Sequence, residues 1–414
     1  MRYPESLKPG GTIGFIAPSF GCAIEPYQSR FENAIKLFKD KGYQIWLGPN
    51  CYEGSGIGIS NTPSACAAEL NEAMTNPELA DVIITCGGGE LMCEVVPYID
   101  FERIKKSPAK WYMGYSDNTN YTFLSAILAD TAAIYGPCAP AFGREPWHAS
   151  VEDAWKLLTG ELHKVSGYEM WEHYETDSAT QDTVDTDTET PNTVNTDSEI
   201  AENEEDPLAP YNVNERTVYQ YYLPTASNSI SSSGSVESAE SHLHYDKRKA
   251  GLDSENTGIE KKMVLISGDD LTDTVKFEGR LLGGCVDILI LLAGTKYDKV
   301  DEFLERYKED GFIWFLESCD LSMLSIRRAF WQMREAGWFQ YAKGFLIGRP
   351  LHYGEDQFGV NQYNAVIDII GDLGVPIIMD LDIGHLPPMM PIICGSYAAV
   401  EAEGNRIGVN YIFK

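Results

Sequence analysis

From Met1 to Leu162 the chain repeats one rhythm: a short apolar run, a turn, then a helical pattern with one apolar face. This alternation constrains the fold more than any other feature. Strands separated by helices are joined by crossovers, so they pair in parallel and are covered by helices on both faces. Gly11–Ala17, Tyr43–Leu47, Asp81–Thr85 and Lys110–Tyr115 read as strands. Pro26–Lys41 reads as a helix because Phe31, Ala34, Ile35, Leu37 and Phe38 share one face, and Ser64–Met74 reads as another. The expected class is α/β with a doubly wound sheet.

The rhythm breaks at about Val165. To about residue 262 Thr, Ser, Asp, Glu and Asn dominate, as in Thr176–Thr190 and Ser227–Glu240. So little apolar surface cannot offset the entropy of ordering the chain, and a mobile surface insertion is expected. Islands richer in aromatic residues and proline, Met170–Tyr174, Pro207–Asn212 and Val218–Leu223, are expected to fold onto the body, the last as a strand. Globular patterning then returns. Phe312–Glu317, Gly344–Gly348 and Pro376–Asp380 read as buried strands, Met323–Ala336 as an amphipathic helix, and Ala398–Phe413 as a closing hairpin. Three segments are therefore expected: an α/β domain over 1–164, the acidic insertion over 165–262, and a mixed α/β domain over 263–414.

The strongest local signal is Gly114–Thr119, placed directly after the β-rich run Trp111–Met113 and directly before an apolar helix over Tyr121–Leu128. A serine at a sharp strand-to-helix turn holds its hydroxyl exposed, beside backbone N–H groups at a helix start. Ser116 is the candidate nucleophile. Asn118 stands where such elbows usually carry glycine, a position where unusual backbone angles are expected. The same residues also suit a plain helix cap. A second signal, Thr85–Glu90, contains three consecutive glycines whose N–H groups can converge on an anion, an oxyanion in a hydrolase. It lacks the spacing of a dinucleotide or P-loop motif, so no nucleotide cofactor is expected.

Among seven histidines, His385 lies in a proline-framed loop directly after a buried strand and is the expected base, with His352 the other candidate in the last segment. Glu317 ends a very apolar strand, where an unpartnered carboxylate would be costly, so it is the expected acid that orients the imidazole. Asp320 and Asp382 compete for that role. Arg280 and Arg349 are candidates for reading a substrate carboxylate, or are ion-pair partners.

Net charge is −30, which repels phosphate backbones and anionic lipid and argues against nucleic-acid or membrane partners. The nine cysteines are scattered, with no C-x-x-C pair, so neither a zinc site nor a disulfide framework is expected. The amino terminus lacks the basic and apolar pattern of a secretion signal, and a cytoplasmic location is expected.

In order, Ile13–Ser19, Gly87–Gly89, Gly114–Thr119, Gly279–Gly284, Leu316–Glu317 and Gly384–His385 resemble peptidase family S66, the LD-carboxypeptidases and microcin-immunity serine peptidases. The resemblance implies a flavodoxin-like N-terminal domain, a C-terminal domain with a central β-layer, and a homodimer. It implies a Ser116, Glu317, His385 triad, with N–H groups of Asp117 and of Gly88 or Gly89 forming the oxyanion hole. It further implies a small substrate: an L,D-linked murein tetrapeptide, or a conjugate of a peptide or amino acid with a nucleotide-like group. In the second branch Trp171 is the candidate for stacking on the base. Cys285 departs from the family's frequent asparagine, and the inter-domain segment is unusually long and acidic. Two other readings stay open. A non-catalytic module would hold an anionic ligand with the same two loops, and an amidotransferase-like enzyme would require cysteine at the elbow.

Overall fold

The computed structural model describes residues 1–173, 206–224 and 263–414. The polar runs Thr176–Thr190 and Ser227–Glu240 lie outside them. The first sheet runs edge to edge through Ile392–Cys394, Ala133–Tyr135, Trp111–Gly114, Val82–Thr85, Thr12–Ile16 and Gln44–Leu47. The last five are parallel, and their order reverses between Thr12–Ile16 and Val82–Thr85. In such a sheet ligands bind outside the carboxyl ends of the strands near that reversal. Here those ends lead into Ala17–Phe20 and the glycine turn Gly87–Gly89, and the next strand leads to Ser116. The edge strand Ile392–Cys394 comes from the far end of the chain and pairs antiparallel with Ala133–Tyr135, tying the C-terminal part to the first sheet.

The helices follow the expected pattern. Tyr27–Asp40 buries Phe31, Ala34, Ile35 and Phe38, with Phe31 edge-on to Phe15 of the first strand at 5.2 Å. Pro63–Thr75, capped by the Thr62 hydroxyl, packs against Phe101–Lys106, which in turn packs against Thr119–Ala129.

A nine-stranded sheet forms the second layer, in the order Met263–Ser267, Gln220–Pro224, Ile377–Leu381, Ala342–Gly348, Phe312–Glu317, Val275–Cys285, Tyr397–Glu403, Arg406–Ile412 and Lys164–Ser166. Four central strands are parallel. Phe312–Glu317 is buried at every position, as an apolar run covered on both faces must be. Both flanks of the polar segment form the edges of this sheet, Lys164–Ser166 on one side and Met263–Ser267 on the other, and Gln220–Pro224 from within the segment is paired between Met263–Ser267 and Ile377–Leu381. Parallel pairing with Cys285 opposite Glu317 aligns the carboxyl ends of the central strands, and the loop after Leu381, which carries His385, leaves from the same side.

All nine cysteines are free, and seven are buried. Among the described residues no helix is long and apolar enough to cross a membrane.

Candidate active site

The carboxyl ends of the two sheets face one another, and most of the expected site residues converge there. Tyr115 closes the strand Trp111–Gly114 in extended conformation, Ser116 turns to φ 61, and a 3-10 turn over Ser116–Asn118 leads into the helix Thr119–Ala129. A left-handed angle at a non-glycine residue is strained, and such strain collects at functional turns. The unusual angle falls on the serine itself. Asn118 has ordinary helical angles, φ −62 and ψ −9, which corrects the expectation for this position. Its side chain serves the elbow in a different way. Nδ2 donates to the carbonyls of Gly87 (2.8 Å) and Tyr115 (3.0 Å), and Oδ1 accepts from Tyr112 (2.6 Å). One amide thus fastens the elbow to the glycine turn.

Gly88 lies against the serine. A Cβ there would stand 3.0 Å from Ser116 Cβ and 3.2 Å from its Oγ, so a side chain at 88 would crowd the hydroxyl. The Gly88 carbonyl accepts from Phe20 N–H (2.8 Å), which fixes the turn. Among the described residues no protein acceptor meets the backbone N–H of Gly88 or of Asp117. Gly89 packs against Ser19, one residue further from the hydroxyl. The Asp117 carboxylate is fully buried and holds the elbow from below, accepting from Ser19 Oγ (2.5 Å), Met92 N–H (2.9 Å) and Asn120 Nδ2 (2.9 Å). Burial pushes its pKa up to about 6 despite those donors.

His385 and Glu317 meet across the second sheet, with Nδ1 2.9 Å from Glu317 Oε2. Gly384 makes this approach possible: at φ 120, a Cβ would stand 2.6 Å from Oε2. Burial disfavours the charged imidazolium, but Glu317 and Cys319 outweigh it and hold His385 well above its ordinary pKa. Burial likewise disfavours ionised Glu317, and His385 together with donors from Tyr135 and Cys285 outweighs it, so the carboxylate stays charged. The other ring nitrogen, Nε2, is buried with no hydrogen-bond partner among the described residues, so Ser116 and His385 are not hydrogen-bonded in this structure. The imidazole lies 5.2 Å, ring to ring, from Tyr115, the residue before the serine. Catalytic hydrogen bonds of this kind are often open without substrate.

The competing residues lie elsewhere. His352 pairs with Glu355 (2.8 Å). Asp320 donates its N–H to Asp287 (2.8 Å), and Asp382 is ion-paired to Arg349 (2.7 Å).

Both arginines are buried and engaged. Arg280 pairs with Asp310 (2.5 Å) and donates to the Gly395 carbonyl (2.6 Å). It sits opposite Phe312, five residues before Glu317 and so roughly 16 Å away along the strand. Arg349 binds Asp382 and Thr217 (3.2 Å) and lies 4.7 Å over the ring of Trp171. Trp171 is only 2% exposed, between Arg349, His173 and Tyr353. The next residue, Glu172, donates its N–H to the Pro387 carbonyl (2.7 Å), docking the inter-domain segment on the His385 loop.

Asp380, near that loop, gives a pH prediction. Its buried carboxylate receives one tyrosine hydroxyl, from Tyr363 (2.7 Å), and burial pushes its pKa up to about 6. A raised carboxyl pKa favours the protonated folded state, so this stabilisation is complete below about pH 4 and is lost as pH rises through 6. Asp380→Asn, which tolerates the residue's φ of 62, is expected to gain stability over wild type as pH rises from 5 to 7.5. The gain reaches at most about 3 kcal/mol, read by urea denaturation at each pH.

The sequence reading missed Tyr135. Its hydroxyl donates to Glu317 Oε1 (2.5 Å) and accepts from Ser116 N–H (3.2 Å). The available signal was its place at the end of a short apolar run, Ala132–Tyr135, just before Gly136-Pro137.

Comparison with known proteins places this arrangement. Residues 13–136 match the family model of the LD-carboxypeptidase N-terminal domain, and residues 278–400 that of the C-terminal domain, together well over half of the chain. The microcin C7 self-immunity protein MccF of Escherichia coli is 22% identical over 410 residues, covering 97% of this chain and 94% of its own. A solved structure of MccF with glutamyl sulfamoyl guanosine superposes with a TM-score of 0.67 at 18% identity, over 99% of this chain and 98% of that one. An MccF-like protein from Bacillus anthracis gives 0.64 at 17% identity, over the whole of both chains. These structural likenesses show a shared fold, and the two family models show the descent: the chain belongs to the LD-carboxypeptidase family, peptidase family S66.

Proposed function

We propose that this protein is a serine hydrolase that cleaves an amide bond of a small peptide-like substrate, with Ser116 as nucleophile, His385 as base and Glu317 as its orienting acid. The observation that carries the reading is a strained, partly exposed serine against a glycine turn, with a buried His385–Glu317 pair on the facing sheet. His385 Nε2 takes the hydroxyl proton as Ser116 Oγ bonds to the carbonyl carbon. The N–H groups of Gly88 and Asp117 receive the oxyanion. The C–N bond then breaks with the His385 proton passing to the leaving nitrogen, and water hydrolyses the ester.

The family name supports an L,D-carboxypeptidase that removes a terminal D-amino acid from a murein-type tetrapeptide. The full-length match to MccF favours a second reading, hydrolysis of an aminoacyl–nucleotide conjugate such as the glutamyl sulfamoyl nucleoside bound in one MccF structure. The engaged state of Arg349 and Trp171 means that either substrate requires those side chains to bind from their ion-paired, packed positions or to rearrange. Incubating the purified protein with a tetrapeptide ending in D-alanine and, separately, with glutamyl sulfamoyl guanosine, and following both by mass spectrometry, tests the readings. Turnover of one and not the other chooses between them, and turnover of neither rejects both. Activity is expected to fall as pH is lowered, with a midpoint above the ordinary histidine value, because protonation of His385 removes the base.

A further inference from the structure

We infer that Tyr135 is a positioning residue for the reaction, a buried phenol that joins the Ser116 elbow on one sheet to Glu317 on the other. The inference rests on the triad reading above. Tyr135 is the last residue of the strand Ala133–Tyr135, fully buried, and its side chain reaches from the first sheet to the second. Its hydroxyl proton goes to Glu317 Oε1, and its oxygen lone pair receives the Ser116 N–H. The carboxylate is thereby divided, one oxygen for the phenol and the other for His385. The same hydroxyl fixes the backbone of the nucleophile, so a single group sets the distance between the serine and its base. It has no choice of direction: the carboxylate can only accept and the amide can only donate.

The electrostatic consequence has a definite sign. A donor on Oε1 disperses the carboxylate charge and weakens its hold on the imidazolium; without the donor, that hold tightens and the His385 pKa rises. The groups around the pair are few. Glu317, Cys319 and Tyr115 face His385, with Asp287 and Cys138 in electrostatic reach. Cys285, Asp287 and Tyr135 face Glu317.

The test is Tyr135→Phe, which keeps the ring and removes only the hydroxyl, measured on whichever substrate the wild type turns over. A hydrogen bond to a charged group is lost, so kcat is expected to fall about 10- to 100-fold with KM within about twofold. The acid limb of the kcat profile is expected to move to higher pH. Unchanged kcat and midpoint would overturn the inference. So would a fall in kcat with an unmoved midpoint and a lowered Tm, which is what simple loosening of the core gives. Ser116→Ala runs beside it: full turnover by that variant removes the triad reading itself, whereas a dead Ser116→Ala beside a wild-type-like Tyr135→Phe removes only the role of Tyr135.

Discussion

Ser116→Ala is expected to fold as the wild type does and to lose at least about 10⁴-fold in kcat. In a hydrolase whose nucleophile, base and acid act as one unit, deleting the nucleophile costs nearly the whole chemical contribution, leaving what binding and oxyanion donors supply alone. The fold has little stake in the hydroxyl, because the hydrogen bond that anchors position 116 to the rest of the site is made by its backbone N–H. Ser116→Gly extends the argument. The residue sits at φ 61, where an L side chain costs roughly 1–2 kcal/mol and glycine costs nothing, against which glycine loses more backbone freedom on folding. The glycine variant is expected to be equally inactive and more stable by about 0.5–1 kcal/mol in equilibrium urea unfolding. A variant that is dead and more stable identifies the strain as serving the chemistry. Retained turnover by Ser116→Ala would end the assignment.

How far the site was legible follows from which interactions are local. The elbow was legible because its signal is contiguous: an apolar strand, a glycine, a serine and an apolar helix within about twenty residues. Glu317 and His385 were legible because a charge at the end of a very apolar strand and an imidazole in a proline frame are each anomalous in their own neighbourhoods. Tyr135 was not legible, since a tyrosine closing a three-residue strand looks like any buried aromatic, and its meaning arises only when a residue 182 positions away arrives beside it. The same holds for Ile392–Cys394, a run of three residues too short for periodicity, which the fold uses as the edge of the opposite domain's sheet. Arg349 illustrates the converse. Its chemistry suits a carboxylate, and the structure supplies one, Asp382, from within the chain. Polar composition hid the strand Lys164–Ser166, which is held by backbone pairing at a sheet edge more than by the burial of its side chains, whereas the aromatic run Val218–Leu223 made the strand Gln220–Pro224 legible.

Glu317→Gln is expected to cost about 10⁴-fold in kcat while leaving the shape of the core unchanged. Both carboxylate oxygens accept hydrogen bonds, Oε2 from His385 Nδ1 and Oε1 from the Tyr135 hydroxyl. An amide of the same shape offers one acceptor and one donor. If its NH₂ group faces His385, Nδ1 must become the acceptor, the proton moves to Nε2, and the ring presents a donor to the serine where a base is needed. If its NH₂ group faces Tyr135, the phenol oxygen must accept from both the amide and Ser116 N–H, and its own proton is left in a fully buried site without a partner, at a cost of about 1–3 kcal/mol. In both orientations the imidazolium of the transition state loses its counter-charge. Residual activity carries a second signature. Glu317 is the main group that raises the His385 pKa against burial, so without it burial prevails and the acid limb is expected to move to lower pH. This is opposite to the direction expected for Tyr135→Phe, so the two profiles, measured on one substrate, separate loss of the carboxylate charge from its concentration on the histidine. A midpoint unmoved by Glu317→Gln would mean that another group sets the protonation of the base.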